Sequence, residues 1–245
     1  MNILSLRSSL LCAIAGLTHL AALVASESKP ASSEAMSHQK SEVVRGVTSP
    51  IKAIHAHLCG LHFLNGDLRR QVIAHHYCAH VRDDLWQCVL YDSDRADARL
   101  IGIEYVIPES VFVGLPAEEK VLWHSHRYEV AAGLLVASGL DDGAQQKLMT
   151  ELVTSYGKTW HTWQIERGDL LPLGLPKLMM GFTADGQARP ALLAERDRAQ
   201  GINAAEIGRQ RSAMAVRPIA AGADAWQQGV IVQISDDQVT QHLIR

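Results

Sequence analysis

Residues 71–91 read QVIAHHYCAHVRDDLWQCVLY. Gln71 to His80 and Leu85 to Tyr91 are two runs rich in aromatic, β-branched and apolar residues, and Arg82-Asp83-Asp84 between them has the length of a hairpin link. The spacing predicts an antiparallel pair. Side chains alternate faces along a strand, so His76, Cys78 and His80 share one face and His75, Tyr77 and Ala79 the other.

Towards the C-terminus, Asp92 to Asp97 reads as a polar turn and Ala98 to Ile107 (ARLIGIEYVI) as a strand that Pro108 ends. Pro116 and the acids behind it start a short helix running into Trp123. Tyr128 to Ala137 reads as a strand, Asp141 to Tyr156 as a helix capped by Gly157, Lys158 to Ile165 as a strand, and Leu170 to Pro176 as a Pro/Gly-punctuated loop. Towards the N-terminus, Ser49 and Pro50 suit the start of a helix, and Ile51, Ile54, Leu58 and Leu61 follow at helical spacing over 51–64. Residues 190–213 are rich in Ala, Arg and Glu with weak helical periodicity, and Val230 to Ile234 reads as one short strand. The pattern predicts an α+β fold, an antiparallel or mixed sheet with flanking helices. Its main domain is 50–182 and its C-terminal extension 183–245.

The 245 residues are 47% hydrophobic and 20% charged, a composition that folds. A formal net charge of −3 argues against nucleic acid as a partner, because counterion release needs a basic surface. Residues 1–26 have the layout of a secretory signal peptide: Arg7 as the sole charge, an apolar run from Leu10 to Val24, and the small residues Ala25 and Ser26. Residues 27–49 read as a flexible linker. Cleavage near Ala25 or Ser26 leaves Cys59, Cys78 and Cys88, so an exported chain holds at most one internal disulfide and a spare thiol.

Familiar catalytic motifs are missing. The sequence has no G-x-x-x-x-G-K-[ST], G-x-G-x-x-G, G-x-S-x-G, H-E-x-x-H or C-x-x-C. The acidic turn Asp92, Asp94, Asp97 lacks the glycine and glutamate of a calcium loop, with Ile103 standing at the glutamate's place. The histidines are the informative residues. Six of the 12 fall between positions 55 and 80: His55, His57, His62, His75, His76 and His80. His124, His126 and His161 follow. An imidazole and a thiolate at i and i+2 on one strand face lie about 7 Å apart and can reach one ion. Trp123-His124-Ser125-His126-Arg127-Tyr128-Glu129 offers two imidazoles and a carboxylate if it bends at Ser125. Zinc, iron or copper accepts such donors. The candidate metal ligands are therefore His76, His80, His124, His126 and Glu129, with Glu104 as a supporting carboxylate. The competing reading is ordinary: a histidine on a strand face is most often a hydrogen-bonded core or edge residue. Cys88 lies in the strand facing Cys78, so a disulfide competes with Cys78 as a ligand.

Several strings occur in ordered series: His75-His76-Tyr77-Cys78-Ala79-His80, Gln87-Cys88-Val89-Leu90-Tyr91-Asp92-Ser93-Asp94 and Ala98-Arg99-Leu100-Ile101-Gly102-Ile103-Glu104-Tyr105. Leu115-Pro116-Ala117-Glu118-Glu119, Leu122 to Glu129, Tyr156 to Trp160, Thr162-Trp163-Gln164, Arg167-Gly168-Asp169 and Leu171 to Gly174 continue it. Together they resemble the oil-body-associated protein family, the DUF1264 domain, over residues 51–182. The resemblance implies association with a lipid or membrane surface and brings no catalytic residue with it. The signal-peptide layout departs from the plant setting of seed oil bodies. Three readings follow: a lipid-surface accessory protein, a histidine-rich metal-binding protein or metalloenzyme, and a structural module whose histidines and Trp86, Trp123, Trp160 and Trp163 are core. Flotation with vesicles separates the first, and elemental analysis the second.

Overall fold

The computed structural model describes residues 50–137, 139–214 and 218–235. The signal segment read over 1–26 and the linker over 27–49 lie outside the described residues.

Four strands follow one another as an antiparallel meander: β1 (Ala56–Leu64), β2 (Asp67–Arg82), β3 (Leu85–Tyr91) and β4 (Leu100–Pro108). The hairpin read from residues 71–91 is β2–β3, in a register that sets Cys78 opposite Cys88, and these two are disulfide-bonded. Beyond β4 come two short helices, α1 (Glu109–Phe112) and α2 (Ala117–Lys120), then a two-residue strand β5 (His124–Ser125) and the short helix α3 (Arg127–Ala131). Helix α4 (Asp142–Leu152) leads into β6 (Ser155–His161), and β7 (Lys177–Met180) follows the loop.

The strand pairings close on themselves. β4 pairs with β6 from Gly102↔His161 to Pro108↔Ser155, β6 pairs with β7, and β7 returns to β1 through Phe63↔Met180 and Leu64↔Met179. Six antiparallel strands thus form a barrel in the order β1-β2-β3-β4-β6-β7, which removes the free edges an open sheet would leave. β5 pairs with β6 beside β7 at His124↔Gly157 and Ser125↔Tyr156.

The registers carry one inward face around the ring. Leu58, Leu64, Val72, Ala74, Cys78, Cys88, Leu90 and Val106 share one buried cluster. By the period of two, His62, His76, Glu104, Thr159 and His161 lie on this same inward face. Leu61, Phe63, Leu178 and Met180 point outward into a second cluster, under Leu192, Leu193 and Trp226 of the C-terminal segment.

β1 is a correction to the sequence reading, which placed a helix over 51–64; only Ile51–Ala53 turns, as a single 3-10 turn. Both faces of β1 are buried, so its apolar residues run together without the alternation that marks a half-exposed strand. The strand read at Tyr128 to Ala137 is instead α3 followed by a turn at Gly133, whose φ of +73° favours glycine. Helix α4 is capped by Asp141, which accepts from the Ala144 N–H, but it ends at Leu152, and Gly157 lies inside β6. Val230 to Ile234 forms no strand; its Val232 N–H donates to the Asn65 side chain instead.

The C-terminal segment is built into this architecture through helices α5 (Pro190–Gln200) and α6 (Ala204–Arg211). Arg196 is fully buried and donates to the carbonyls of Leu134 (2.6 Å) and Gly133 (3.0 Å). Arg211 donates to the Leu135 carbonyl at 2.9 Å. Both guanidiniums satisfy buried backbone oxygens of the turn behind α3. Replacing Arg196 by Ala should therefore cost on the order of 3 kcal/mol, because two buried carbonyls lose their donors. Arg198→Ala, on the exposed side of the same helix, should stay within about 0.5 kcal/mol. Urea unfolding midpoints of the two variants check this, and equal midpoints would contradict it.

Candidate functional site

Seven ionisable side chains meet inside the barrel: His62 from β1, His76 from β2, Glu104 from β4, His124 from β5, His126 and Glu129 from the start of α3, and His161 from β6. Each is at most 4% exposed. The β5–α3 segment brings three of them. β5 pairs for two residues only, the chain turns at His126 (φ −84°, ψ −2°), and α3 begins at once. Asp224 of the C-terminal segment pins this bend, accepting from the Ser125 N–H at 2.9 Å and the Ser125 hydroxyl at 2.7 Å.

Glu104 is the hub. Its Oε2 lies 2.8 Å from His76 Nε2 and 3.5 Å from His62 Nε2. Its Oε1 lies 3.1 Å from His126 Nε2 and 3.6 Å from His124 Nε2. His124 Nε2 is also 4.0 Å from Glu129 Oε2. Behind these, His126 Nδ1 meets the Ser155 hydroxyl at 2.8 Å, His76 Nδ1 meets the Ala74 carbonyl at 3.1 Å, and His62 Nδ1 meets His161 Nε2 at 3.3 Å. Among the described residues, His124, fully buried, has no hydrogen-bond partner on either ring nitrogen.

Two glycines make the space. A methyl group at Gly157 would collide with Glu104 Oε1 and come within 2.8 Å of His126 Nε2 and 2.9 Å of His124 Cε1. At Gly181 it would collide with Glu129 Oε2 and come within 2.7 Å of His124 Cδ2. Neither glycine has a left-handed backbone, so what they supply here is room.

Of the residues singled out from the sequence, His76, His124, His126 and Glu129 are brought together. His80 does not join them. It is exposed, its ring 3.9 Å from that of Trp86 and its Nδ1 3.2 Å from His55 Nε2. Sharing a strand face with His76 is not enough, because four residues along a strand span about 13 Å. Cys78 is held in its disulfide. The sequence reading left out His62 and His161 and gave Glu104 only a supporting part. Reading residues 51–64 as a helix hid the inward parity of His62, and His161 faces inward only because β6 closes the barrel.

Burial lowers the affinity of His62, His124 and His161 for protons. It holds His62 well below its ordinary value against the pull of Glu104. It brings His124 and His161 down to about 3, with neighbouring imidazoles adding to the effect. Burial pushes Glu104 up, but the imidazoles of His126 and His76 facing it outweigh this and keep the carboxyl well below the usual range. For Glu129, burial, then the charge of Glu104, outweighs a hydrogen bond from the Phe182 backbone N–H and raises it well above.

These directions fix the pH response of chelator-treated protein. Below about pH 6.5 the unfolded chain protonates His62, His124 and His161 while the folded chain does not, so stability falls with pH. Below about pH 4.3 unfolded Glu104 adds a fourth such proton. Glu129 works in the opposite sense above that pH, as one group against three. Urea midpoints should decline steadily from pH 7 to pH 4, and Glu129→Gln should steepen the decline between about pH 4.5 and 6.5. A flat profile would contradict this account of the cluster.

A family model described as "Protein of unknown function (DUF1264)" matches residues 48–215, a span that includes every member of the cluster. "Oil body-associated protein 1B" of Arabidopsis thaliana is 44% identical over 155 residues, covering 63% of this chain and 64% of the relative. "Oil body-associated protein 1A" of Zea mays is 48% identical over 144 residues, covering 59% and 60%. "Oil body-associated protein 2C" of Arabidopsis thaliana is 39% identical over 185 residues, covering 73% and 77%. The chain thus spans less than two thirds of the length of the first two of these relatives. No solved structure matches it. On the strength of the family match and these identities, the chain belongs to the DUF1264 family, that of the oil body-associated proteins.

Proposed function

We propose that this protein associates with a lipid surface, the role its relatives' names point to. The observation that carries the reading is the loop between β6 and β7, Leu170-Leu171-Pro172-Leu173-Gly174-Leu175-Pro176. Leu170 is 87% exposed, Leu171 59% and Leu173 61%. Three leucines held in water within four positions are costly; each is worth about 1.5–3 kcal/mol when fully buried in an apolar phase. Lys177 flanks the loop and suits anionic headgroups, while Arg167 at its other end is ion-paired with Asp169. No described helix is long and apolar enough to cross a membrane, so the association envisaged is superficial.

The same reading takes the protein to be exported. Arg7, the Leu10–Val24 run and the Ala25-Ser26 exit support this, and so does the buried Cys78–Cys88 disulfide, a bond typical of oxidising compartments. The surface it meets is then a membrane leaflet. N-terminal sequencing of protein recovered from the cell envelope should begin near residue 26; an intact Met1 would refute export.

Flotation with vesicles of mixed neutral and anionic phospholipid tests the lipid reading. The wild-type protein should float with the vesicles. The triple variant Leu170→Ser, Leu171→Ser, Leu173→Ser should lose about 10-fold or more of the bound fraction, since each replacement removes burial worth more than about 1 kcal/mol. Wild-type protein that stays wholly in the aqueous fraction would overturn it.

A further inference from the structure

We propose that the barrel interior is a site for one divalent transition-metal ion, held by the Nε2 atoms of His62, His76, His124 and His126 and by the carboxylates of Glu104 and Glu129. This goes beyond lipid association and does not depend on it.

The partners of the ring nitrogens fix where the ring protons must be. His76 Nδ1 faces the Ala74 carbonyl, which can only accept, so that nitrogen carries the hydrogen. His126 Nδ1 faces the Ser155 hydroxyl, whose own proton is donated to the Leu152 carbonyl at 2.8 Å. His126 must therefore donate to it from Nδ1. With Nδ1 as the donor, His126 turns its Nε2 lone pair to Glu104 Oε1 at 3.1 Å, and His76 Nε2 lies 2.8 Å from Glu104 Oε2, an oxygen with no aligned hydrogen-bond donor among the described residues. An acceptor pointing at a carboxylate at this range needs something positive between them.

Protons could supply that positive charge for these two rings, but they would leave the rest unmet. His124 would still be fully buried with both nitrogens unpartnered, and its Nε2 would still point between Glu104 and Glu129. A buried polar atom without a partner costs free energy, and an imidazole without any is rare. A single dication answers the demand at Nε2: it takes the lone pairs there and balances the two carboxylates in a buried interior, while His124 Nδ1 keeps no partner among the described residues. The spacing suits it. Bonds of about 2.0–2.2 Å place neighbouring donors about 2.9–3.4 Å apart, and the Nε2-to-Glu104 separations run from 2.8 to 3.6 Å. Two triads, His62-Glu104-His124 and His124-His126-Glu129, each hold donor atoms within 4.8 Å of one another and share His124; His76 joins through Glu104 Oε2 at 2.8 Å and belongs to neither triad, so one ion would draw the two triads together around His124. The outer contacts at Nδ1 of His62, His76 and His126 hold three of the four rings with Nε2 inward, as ligand imidazoles are commonly held. The mixed imidazole–carboxylate set suits zinc, iron or copper over calcium or magnesium.

The test uses the full chain, stripped with chelator and dialysed against Zn²⁺ or Co²⁺, with metal content by elemental analysis and the Co²⁺ ligand-field spectrum as readouts. Wild type should retain about one ion per chain. His124→Ala and the near-isosteric Glu104→Gln should each lose about 10-fold or more in affinity. His80→Ala should bind like wild type. Should His124→Ala fail to fold by circular dichroism, Glu104→Gln alone decides the matter. Wild type without stoichiometric metal overturns the proposal. So does undiminished binding in Glu104→Gln, or binding lost in His80→Ala and kept in His124→Ala, which would place the ion at the exposed His55–His80 pair. Vesicle flotation of the same variants should be unaffected, so failure here leaves the lipid reading standing.

Discussion

A carboxylate 1% exposed inside a barrel has to be met by positive charge or by hydrogen-bond donors, because burial shuts it off from bulk water. Glu104 is met by four imidazoles from three other strands and the start of a helix. The chain geometry around it follows from that requirement. β4 must place Glu104 on the inward face, β1 and β2 must present His62 and His76 at matching depth, and the β5–α3 segment must turn back sharply enough to add His124 and His126. Gly157 and Gly181 are the positions where any side chain would occupy the space these groups need. A fold built only to bury apolar surface would have filled this interior with aliphatic residues, as it does at Leu58, Val72, Ala74 and Leu90 along the same inward faces.

The constraint extends outward to the C-terminal segment. The β5–α3 stretch is too short to hold its own shape, with two residues of strand and five of helix. Asp224 fixes Ser125 between the two histidines, while Arg196 and Arg211 tie down the carbonyls of the turn behind Glu129. Burial raises Asp224 to about 6, although its bonds from Ser125 act against this. The segment past residue 182 therefore takes part in shaping the interior. The family match ends at residue 215, so Asp224 is a part of this scaffold that the match does not reach.

Much of this could be read in the sequence where local signals were strong. The β2–β3 hairpin, β4 ended near Pro108, and the Asp141 cap all lie where alternation and capping chemistry put them. What could not be read depended on tertiary burial. β1 lost its alternation because it is covered on both faces, and with it went the inward assignment of His62. Barrel closure rests on contacts between β4 and β6 and between β1 and β7, more than a hundred residues apart in the second case, and only that closure turns His161 inward. Along one strand, parity showed that His76 and His80 share a face. It could not show that the barrel ends between them, leaving His80 in solvent beside Trp86.

The interior cluster and the leucine loop are joined by the chain yet physically separable. His161 ends β6, Lys177 begins β7, and the two are paired across the base of the loop. Between them, Trp163 Nε1 donates to the Asp169 carbonyl, and Gly168 and Gly174 adopt positive φ of 84° and 82°, conformations open to glycine at little cost. The loop is thus anchored at its stem by backbone pairing and turn geometry, and its exposed leucines are not needed to hold the barrel shut. A lipid surface could engage Leu170, Leu171 and Leu173 without moving Glu104, and an ion could enter or leave the cluster without changing what the loop presents. The same closed, antiparallel frame permits both: it excludes water from one set of side chains while holding another set out in it.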